Sequence, residues 1–337
     1  MTDKSQLIAT THTDNTDNAR TGNTILVGIS ACLLGDEVRF NGGHSRSKYC
    51  CGPLQDYFRF EKFCPEVAAG FGIPRATLRL TGDPLNPRMV YTREPDNDVT
   101  EQFHTGYETR LEKLGHLDGY ILAKNSPSCG MERVKVFQPN SHPHDIKSAG
   151  LFAKALMARY PHLPVEEDGR LNDAHLRENF VQRVFAHHTF RQQVMAQPSV
   201  KNLLAFHSQY KYILMAHSQT EYRGLGQLLG QEHQDYPIEQ LCDLYLQRFM
   251  TAISKPANRG NHYNVLLHLF GYLKPHLEGD VKQDILNTFE HYLQGYVNLA
   301  TALTLLHHYL RQFGSHYVQA QRYLSPYPKA LGLRNQV

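Results

Sequence analysis

The chain contains 337 residues, of which 41% are hydrophobic and 20% are charged, a composition that supports real cores and favours two domains over one. It has no run of about 18 or more apolar residues, which excludes a membrane-spanning helix at the sequence level. Residues 1–23 are rich in Thr, Asn and Asp and lack the apolar stretch of a signal peptide. We therefore expect a disordered tail over residues 1–23 and a cytoplasmic protein.

Strand-like segments and a helical pattern alternate in the first half of the chain. The apolar strand-like segments are residues 24–34, 58–63 and 119–123. A helical pattern runs from Asp98 to about Leu114, with Asp98 or Thr100 as a candidate cap. Strands that alternate with helices are typical of an α/β domain with a mostly parallel sheet, which we place at residues 24–164.

The second half of the chain is predicted to be helical throughout. A polar stretch over residues 165–170 indicates a linker, and Pro and Gly breaks divide residues 171–337 into six or seven predicted helices. Asn172 or Asp173 is a candidate cap for the first of them. From Arg170 onward the chain has 16 Lys and Arg against 11 Asp and Glu, and it holds 13 of the 20 His. This all-α domain is mildly basic, which is compatible with nucleic acid without proving a nucleic-acid partner.

Cysteines are the residues that point most directly to chemistry. The six lie at positions 32, 50, 51, 64, 129 and 242, and their spacing fits no zinc finger. Cys32, Cys64 and Cys129 each lie at or just past the end of a strand-like segment, where open α/β sheets bind ligands, so they are expected to converge. The residues alone leave an iron–sulfur site, a zinc site, a nucleophile and a buried apolar role open.

Three motifs surround these cysteines in chain order. They are Gly28-Ile-Ser-Ala-Cys-Leu-Leu-Gly35 with Val38-Arg39 and Asn41-Gly-Gly43, then Cys64-Pro-Glu-Val67 with Gly70 and Pro74-Arg75, then Asn125-Ser-Pro-Ser-Cys-Gly130. Together they resemble the thiouracil desulfidase (TudS) family over about residues 24–160. Residues 171–337 resemble the YbgA-type helical domain, and the fusion resembles the tRNA 4-thiouridine desulfidases (RudS).

The resemblance implies a specific site. Cys32, Cys64 and Cys129 would hold a [4Fe–4S] cluster with one open iron, where water replaces the sulfur of a thiolated uracil without net redox change. The family's acidic helper maps to Glu66. Its hydroxyl helper maps to Ser126, with Ser128 as the competitor. Candidate substrate-binding residues, each with a structural alternative, are Arg39, Asn41, Arg75 and Lys124. Outside the motifs, Cys50 and Cys51 are expected to be structural, with an incidental reactive pair as the alternative, and Cys242 is expected to lie in a core.

The substrate depends on the helical half. A thiolated base inside tRNA must be extruded or met unstacked, which requires a platform that contacts the surrounding phosphates. Candidate RNA-binding residues are Lys201, Lys211, Arg223, Lys255 and Arg259. The leading hypothesis is a desulfidase of 4-thiouridine in tRNA. The alternatives are the same chemistry on free thiouracil or a 4-thiouridine nucleotide, with the helical domain serving homo-oligomerisation, and a non-catalytic metal–thiolate sensor.

Overall fold

The computed structural model describes residues 24–337, so the expected disordered tail over residues 1–23 lies outside the described residues. The strands are β1 (Ile25–Ser30), β2 (Phe58–Phe63), β3 (Leu78–Thr81), β4 (Arg88–Tyr91), β5 (Gly119–Leu122), β6 (Val136–Phe137) and β7 (Val165–Glu167). The helices are α1 (Pro65–Ala68), α2 (Thr100–Leu111), α3 (Leu151–Arg159), α4 (Ala174–Phe190), α5 (Val200–His217), α6 (Gln219–Gln227), α7 (Ile238–Ala252), α8 (Arg259–Phe270), α9 (Gly279–Gln294), α10 (Leu299–Phe313) and α11 (His316–Gln319).

The main sheet has the order β2-β1-β5-β7, and all its neighbouring strands are parallel. The predicted fold class, an α/β region followed by a helical region, is confirmed. All three strand-like segments form strands of this sheet, with β1 and β5 at its centre. The first segment is shorter than expected as a strand, because the chain turns into a 3-10 helix at Ala31–Leu34.

A second, smaller sheet has the order β4-β3-β6 and was not predicted. Its strands are only two to four residues long, and β3 and β4 carry Arg79 and Arg88. Segments this short lack the apolar run or the sustained alternation that identifies a strand from sequence. The long connection between β2 and β5 is therefore more ordered than its sequence indicates.

The segment expected to be a linker, residues 165–170, is instead part of the fold. Its first three residues form β7, which pairs with β5 at the edge of the main sheet. The polar sequence does not indicate this strand, because its carboxylates are buried only through hydrogen-bond partners from other parts of the fold. Glu166 accepts a hydrogen bond from Nε of Arg170 at 2.6 Å, and Glu167 accepts one from the backbone N–H of Met131 at 2.8 Å.

The main sheet is covered on both faces. Helices α2 and α3 cover one face, with Phe103 and Phe152 at the centre of that core. Helix α4, which belongs to the helical half, covers the other face. The residues that form this second core come from both halves: Ile25, Val27, Ile29, Phe58 and Ile121 from the sheet, Phe180, Val181 and Val184 from α4, and Tyr327 and Leu333 from the C-terminal segment. The two halves of the chain therefore share a core.

Contact between α4 and the sheet is close at one glycine. A Cβ atom added to Gly119 would lie 2.7 Å from Cγ2 of Val184 and 3.3 Å from the carbonyl oxygen of Pro164. Because real side chains do not approach this closely, only glycine fits between β5 and α4 at this position.

A buried carboxylate joins the two halves beside this contact. Asp118, whose side chain is 2% exposed, accepts hydrogen bonds from Nδ1 of His188 at 2.9 Å and from Nη1 of Arg191 at 2.9 Å. It also accepts the backbone N–H of Leu26 at 3.0 Å. Although burial opposes the charged form, the neighbouring side chains of His187 and His188 outweigh it and lower the pKa of Asp118 well below its usual range. We call these residues the Asp118 clasp.

The helical half contains eight helices among the described residues, α4–α11, against six or seven predicted. Asp173, one of the two predicted caps, accepts the backbone N–H of His175 at 2.9 Å and begins α4. The core of this half is rich in aromatic rings, with Phe206 stacked on Tyr210 at 4.2 Å between ring centroids. Within residues 24–337, no helix combines the length and the apolar character that crossing a membrane requires.

Candidate active site

The three predicted cysteines follow three neighbouring strands of the main sheet. Cys32 lies in the 3-10 turn directly after β1, and Cys64 directly follows β2 and caps α1. Cys129 lies in the loop after β5. Because β2, β1 and β5 are adjacent and parallel, their carboxyl ends share one edge of the sheet, as the sequence analysis predicted.

The electrostatics of the thiols indicate that they lie near one another. Burial raises the pKa of Cys32 to about 11, and the neighbouring Cys64 adds to this shift. Burial also raises the pKa of Cys129 well above its usual value, with further contributions from Cys64, Glu66 and Cys32. The pKa of Cys64 is raised for the same first reason. Without a bound cation, these three thiols favour the protonated form.

The chemistry of the donor set fits an iron–sulfur cluster, because Cys thiolates are the ligands that hold such clusters. The hydroxyl of Tyr120, buried near Cys129 and Cys64, also finds no hydrogen-bond partner in the described part of the chain, and a cluster sulfide would be an acceptor for it.

Glu66 is held in place from two sides. Its Oε1 accepts the hydroxyl of Ser128, and its Oε2 accepts Nε of Arg75 at 2.8 Å as well as Nη2 of the same guanidinium. Glu66 lies in the first turn of α1, two residues after Cys64. The carboxylate is therefore fixed beside the thiols, with a side chain that is 14% exposed.

Arg75 contacts the loops of the site rather than solvent. Its side chain is 4% exposed, and besides Glu66 it donates to the carbonyl oxygens of Val38 at 3.0 Å and Gly72 at 3.1 Å. Its backbone N–H donates to the carbonyl oxygen of Phe40. Arg75 was a candidate for substrate binding, with a structural role as the alternative. Its contacts match the structural role, since they join the loops around the site.

The two candidate serines occupy different places. Oγ of Ser126 accepts the backbone N–H groups of Ser128 at 3.2 Å and Cys129 at 3.1 Å, so it shapes the loop that presents Cys129. Its own hydroxyl proton is not used in these bonds, and the residue is half-buried. Ser128 is fully buried and donates to Glu66.

The remaining substrate-binding candidates surround the site at the surface. Arg39 is exposed, and its positive charge lowers the pKa of Cys32, which places it near the thiols. Asn41 accepts the backbone N–H of Gly43 at 3.1 Å and so stabilises the turn that carries Arg39. Lys124 is exposed at the end of β5, where its alkyl chain packs beside Gly169.

The RNA-binding candidates are dispersed over the helical half. Lys201, Arg223 and Lys255 are exposed on α5, on α6 and in the loop after α7. Lys211 is half-buried, with Nζ 5.0 Å from the ring centroid of Tyr317. Arg259 instead makes a contact within the fold. Its Nη1 donates to the carbonyl oxygen of Tyr292 at 2.9 Å and so joins α8 to α9.

The other three cysteines are Cys50, Cys51 and Cys242, of which Cys242 was predicted to lie in a core. Cys50 and Cys242 are completely buried, and burial raises the pKa of Cys50 to about 12. Sγ of Cys51 donates to the carbonyl oxygen of Leu33 at 3.6 Å.

Sequence reasoning missed Ser30, which is buried at the end of β1. Its Oγ accepts the backbone N–H of Ala123 at 3.0 Å, and its side chain lowers the pKa of the Cys129 thiol, which places it near that thiol. The signal for it was present in the sequence, as a serine two residues before a predicted ligand on an otherwise apolar strand.

Comparisons with known proteins match the two halves of the chain separately. A family model described as 2-thiouracil desulfurase matches residues 27–168, and one described as a protein of unknown function (DUF1722) matches residues 211–328. The chain is 33% identical over 153 residues to the uncharacterized protein YbgA of Escherichia coli (strain K12), covering 45% of this chain and 90% of that protein. It is 34% identical over 108 residues to the uncharacterized protein YbbK of Bacillus subtilis (strain 168), covering 30% of this chain and 71% of that protein.

A solved structure of a [4Fe–4S]-dependent thiouracil desulfidase, TudS, also matches, at 30% identity and a TM-score of 0.34, covering 44% of this chain and 93% of that one. The two family models lie one after the other along the sequence, and the curated relatives are matched over most of their own length. The chain therefore joins a 2-thiouracil desulfurase domain to a DUF1722 domain, and it belongs to the family of YbgA.

Proposed function

We propose that this protein removes sulfur from 4-thiouridine in tRNA, giving uridine and sulfide, with a [4Fe–4S] cluster held by Cys32, Cys64 and Cys129. The observation that carries the proposal is the fixed Glu66 carboxylate beside three convergent thiols, in a region that matches the 2-thiouracil desulfurase model. The tRNA substrate places the reaction in the cytoplasm.

The bound cluster would supply an open iron that acts as a Lewis acid toward the thiocarbonyl sulfur. Glu66 takes the proton of the attacking water, because a weak nucleophile needs a base within hydrogen-bond reach. Arg75 occupies Oε2 of that carboxylate, so the proton goes to Oε1, whose orientation is set by the hydroxyl of Ser128. Ser128 is completely buried and thus acts as a positioning residue.

Ser126 is the hydroxyl that faces the substrate in this proposal. Its Oγ already accepts two backbone N–H groups, which fixes the direction of the remaining O–H. That O–H donates a hydrogen bond to the pyrimidine or to the incoming water. Arg39 and Lys124, which are both exposed near the site, then offer positive charge to the phosphates that flank the base.

Free thiopyrimidines are the second candidate substrates, favoured by the description of the matching family model. The full chain, purified without oxygen, is assayed on tRNA containing 4-thiouridine, on 4-thiouridine monophosphate and on 2-thiouracil. A clear preference for the tRNA supports the leading proposal, whereas turnover confined to the free compounds replaces it with the second candidate.

Iron and sulfide content test the cluster. We expect about four of each per chain in the wild type, loss of both in Cys32→Ser, and full content in the control Cys242→Ala. Glu66→Gln should keep the iron but lose turnover by about 100-fold or more, the usual contribution of a general base. Zinc in place of iron, or iron without any turnover in the wild type, would contradict the proposal and favour a metal–thiolate sensor.

A further inference from the structure

Aromatic side chains from the segment after α8, from the end of α10 and from the short helix α11 lie on the surface of the helical half. Tyr272 follows α8, and Tyr317 lies in α11; their ring centroids are 6.3 Å apart, and the residues are 36% and 37% exposed. In the same two segments of the chain, the rings of His276 and Phe313 stack with an interplanar angle of 3° and a centroid separation of 5.8 Å. We call Lys211, Tyr272, His276, Phe313 and Tyr317 the aromatic ledge.

The ledge is held in position from below. Nζ of Lys211 lies 5.0 Å from the ring centroid of Tyr317 and 4.9 Å from that of Tyr212. Tyr212 is buried, and its hydroxyl donates to the hydroxyl of Tyr272 at 3.3 Å. Rings that are already oriented lose little conformational entropy when a ligand stacks on them, so this surface is preorganised for a flat ligand.

The charge of the ledge identifies the kind of ligand. Residues 271–277 and 313–317, which carry the ledge, include no Asp or Glu. They add Lys274 and His316 to the basic side chains of the ledge. An apolar protein partner would have to desolvate these basic groups without pairing them. A single-stranded nucleic acid satisfies both features, because its bases stack on aromatic rings and its phosphates pair with Lys and His.

We propose that the aromatic ledge binds unstacked nucleotides of the tRNA substrate. This inference rests on the proposed function, because it assigns to the helical half the RNA contact that a tRNA-acting enzyme needs. None of the five predicted RNA-binding residues except Lys211 belongs to the ledge, so the proposal moves the RNA contact from scattered cations to an aromatic surface. The exposed rings stack with bases, and the exposed Lys274 contacts the adjoining phosphates, while Lys211 supports the rings from below.

Fluorescence tests this directly, because the chain contains no Trp. Tyr272→Trp or Tyr317→Trp introduces a single reporter on the ledge, and Tyr296→Trp, at a residue that is 74% exposed in the loop after α9, is the matched control. The probe is an unmodified tRNA transcript added to the iron-loaded full chain. We expect quenching of both ledge reporters and none of the control; equal responses at all three positions would overturn the proposal.

Binding and turnover of a ledge variant provide the second test. The double variant Tyr272→Ala/Tyr317→Ala should bind the transcript roughly tenfold or more weakly, given the usual loss for stacked bases. Its iron content and its turnover of free 2-thiouracil should equal those of the wild type, since the ledge is separate from the thiols. These two readouts also verify that the variant is folded.

The outcomes separate the ledge from the proposed function. If the wild type binds the transcript and the double variant binds it equally well, the ledge is overturned and the tRNA substrate stands. If the wild type fails to bind any tRNA but converts free thiouracil, the tRNA substrate is overturned together with the ledge. If the variant changes only the sedimentation of the protein, the ledge is a contact between copies of this chain, and the proposal is wrong.

Discussion

The Asp118 clasp should be a main determinant of stability at the junction of the two halves. In Asp118→Ala, Leu26 loses the acceptor of a buried backbone N–H, which costs about 1–3 kcal/mol by itself. His188 and Arg191 lose their partner in the same step. Removing one member of a buried, hydrogen-bonded ion pair costs about 3–5 kcal/mol, and we expect a loss of this size in the free energy of unfolding. Asp118→Asn keeps an acceptor oxygen and should cost less.

Urea denaturation of the full chain at neutral pH measures this loss. The matched control is Arg88→Ala, which removes one side of an exposed ion pair with Asp98 at 3.0 Å, where the two side chains are 60% and 35% exposed. Exposed pairs contribute about 0–1 kcal/mol, so the control should change the midpoint little. If Asp118→Ala costs no more than Arg88→Ala, the clasp does not stabilise the junction and our reasoning is refuted.

The pH dependence of the same measurement follows from the lowered pKa of Asp118. A carboxylate whose pKa is lower in the folded state stabilises the protein above its unfolded-state pKa of about 4. That contribution decreases as the pH falls below this value toward the folded-state pKa. The stability advantage of the wild type over Asp118→Asn should therefore be constant from pH 7 to pH 5 and should shrink below about pH 4; a constant difference throughout would contradict the assignment.

Two further predictions concern close contacts. Gly119→Ala should destabilise the protein by about 1–3 kcal/mol through overpacking against Val184. In a double-mutant cycle measured by urea denaturation, Val184→Ala should recover part of this loss, and strictly additive costs would count against the contact. Ser30→Ala removes a polar side chain near the predicted ligand Cys129, so the iron-loaded protein should show a shifted reduction potential with unchanged iron content, since polar contacts to ligand sulfur tune clusters. An unchanged potential would show that Ser30 has no effect on the cluster.

The convergence of the cysteines was predictable because it follows from the geometry of parallel strands. Cys32, Cys64 and Cys129 each follow an apolar segment, and the carboxyl ends of parallel strands share one edge. The bracing of Glu66 by Arg75 was not predictable, although both residues belong to a recognised motif. Their contact depends on the path of the loop between them, which no periodicity encodes.

The boundary between the halves was the least predictable part of the fold. The polar residues of β7 indicate a linker because their burial depends on partners, such as Arg170 and Met131, that only the folded structure identifies. The position of α4 on the sheet depends likewise on Phe180 and Val184, which in the sequence read as an ordinary helical face. The ledge was missed for the same reason, since its residues come from separate elements.

The shared core has a consequence for the order in which the chain folds. The face of β1 that carries Val27 and Ile29 packs against α4 and against Leu333, which follows far along the chain. Contacts between such distant residues form slowly, because a long loop must close before they stabilise anything. During synthesis, one apolar face of the sheet therefore stays exposed until α4 and the C-terminal segment that cover it have been made.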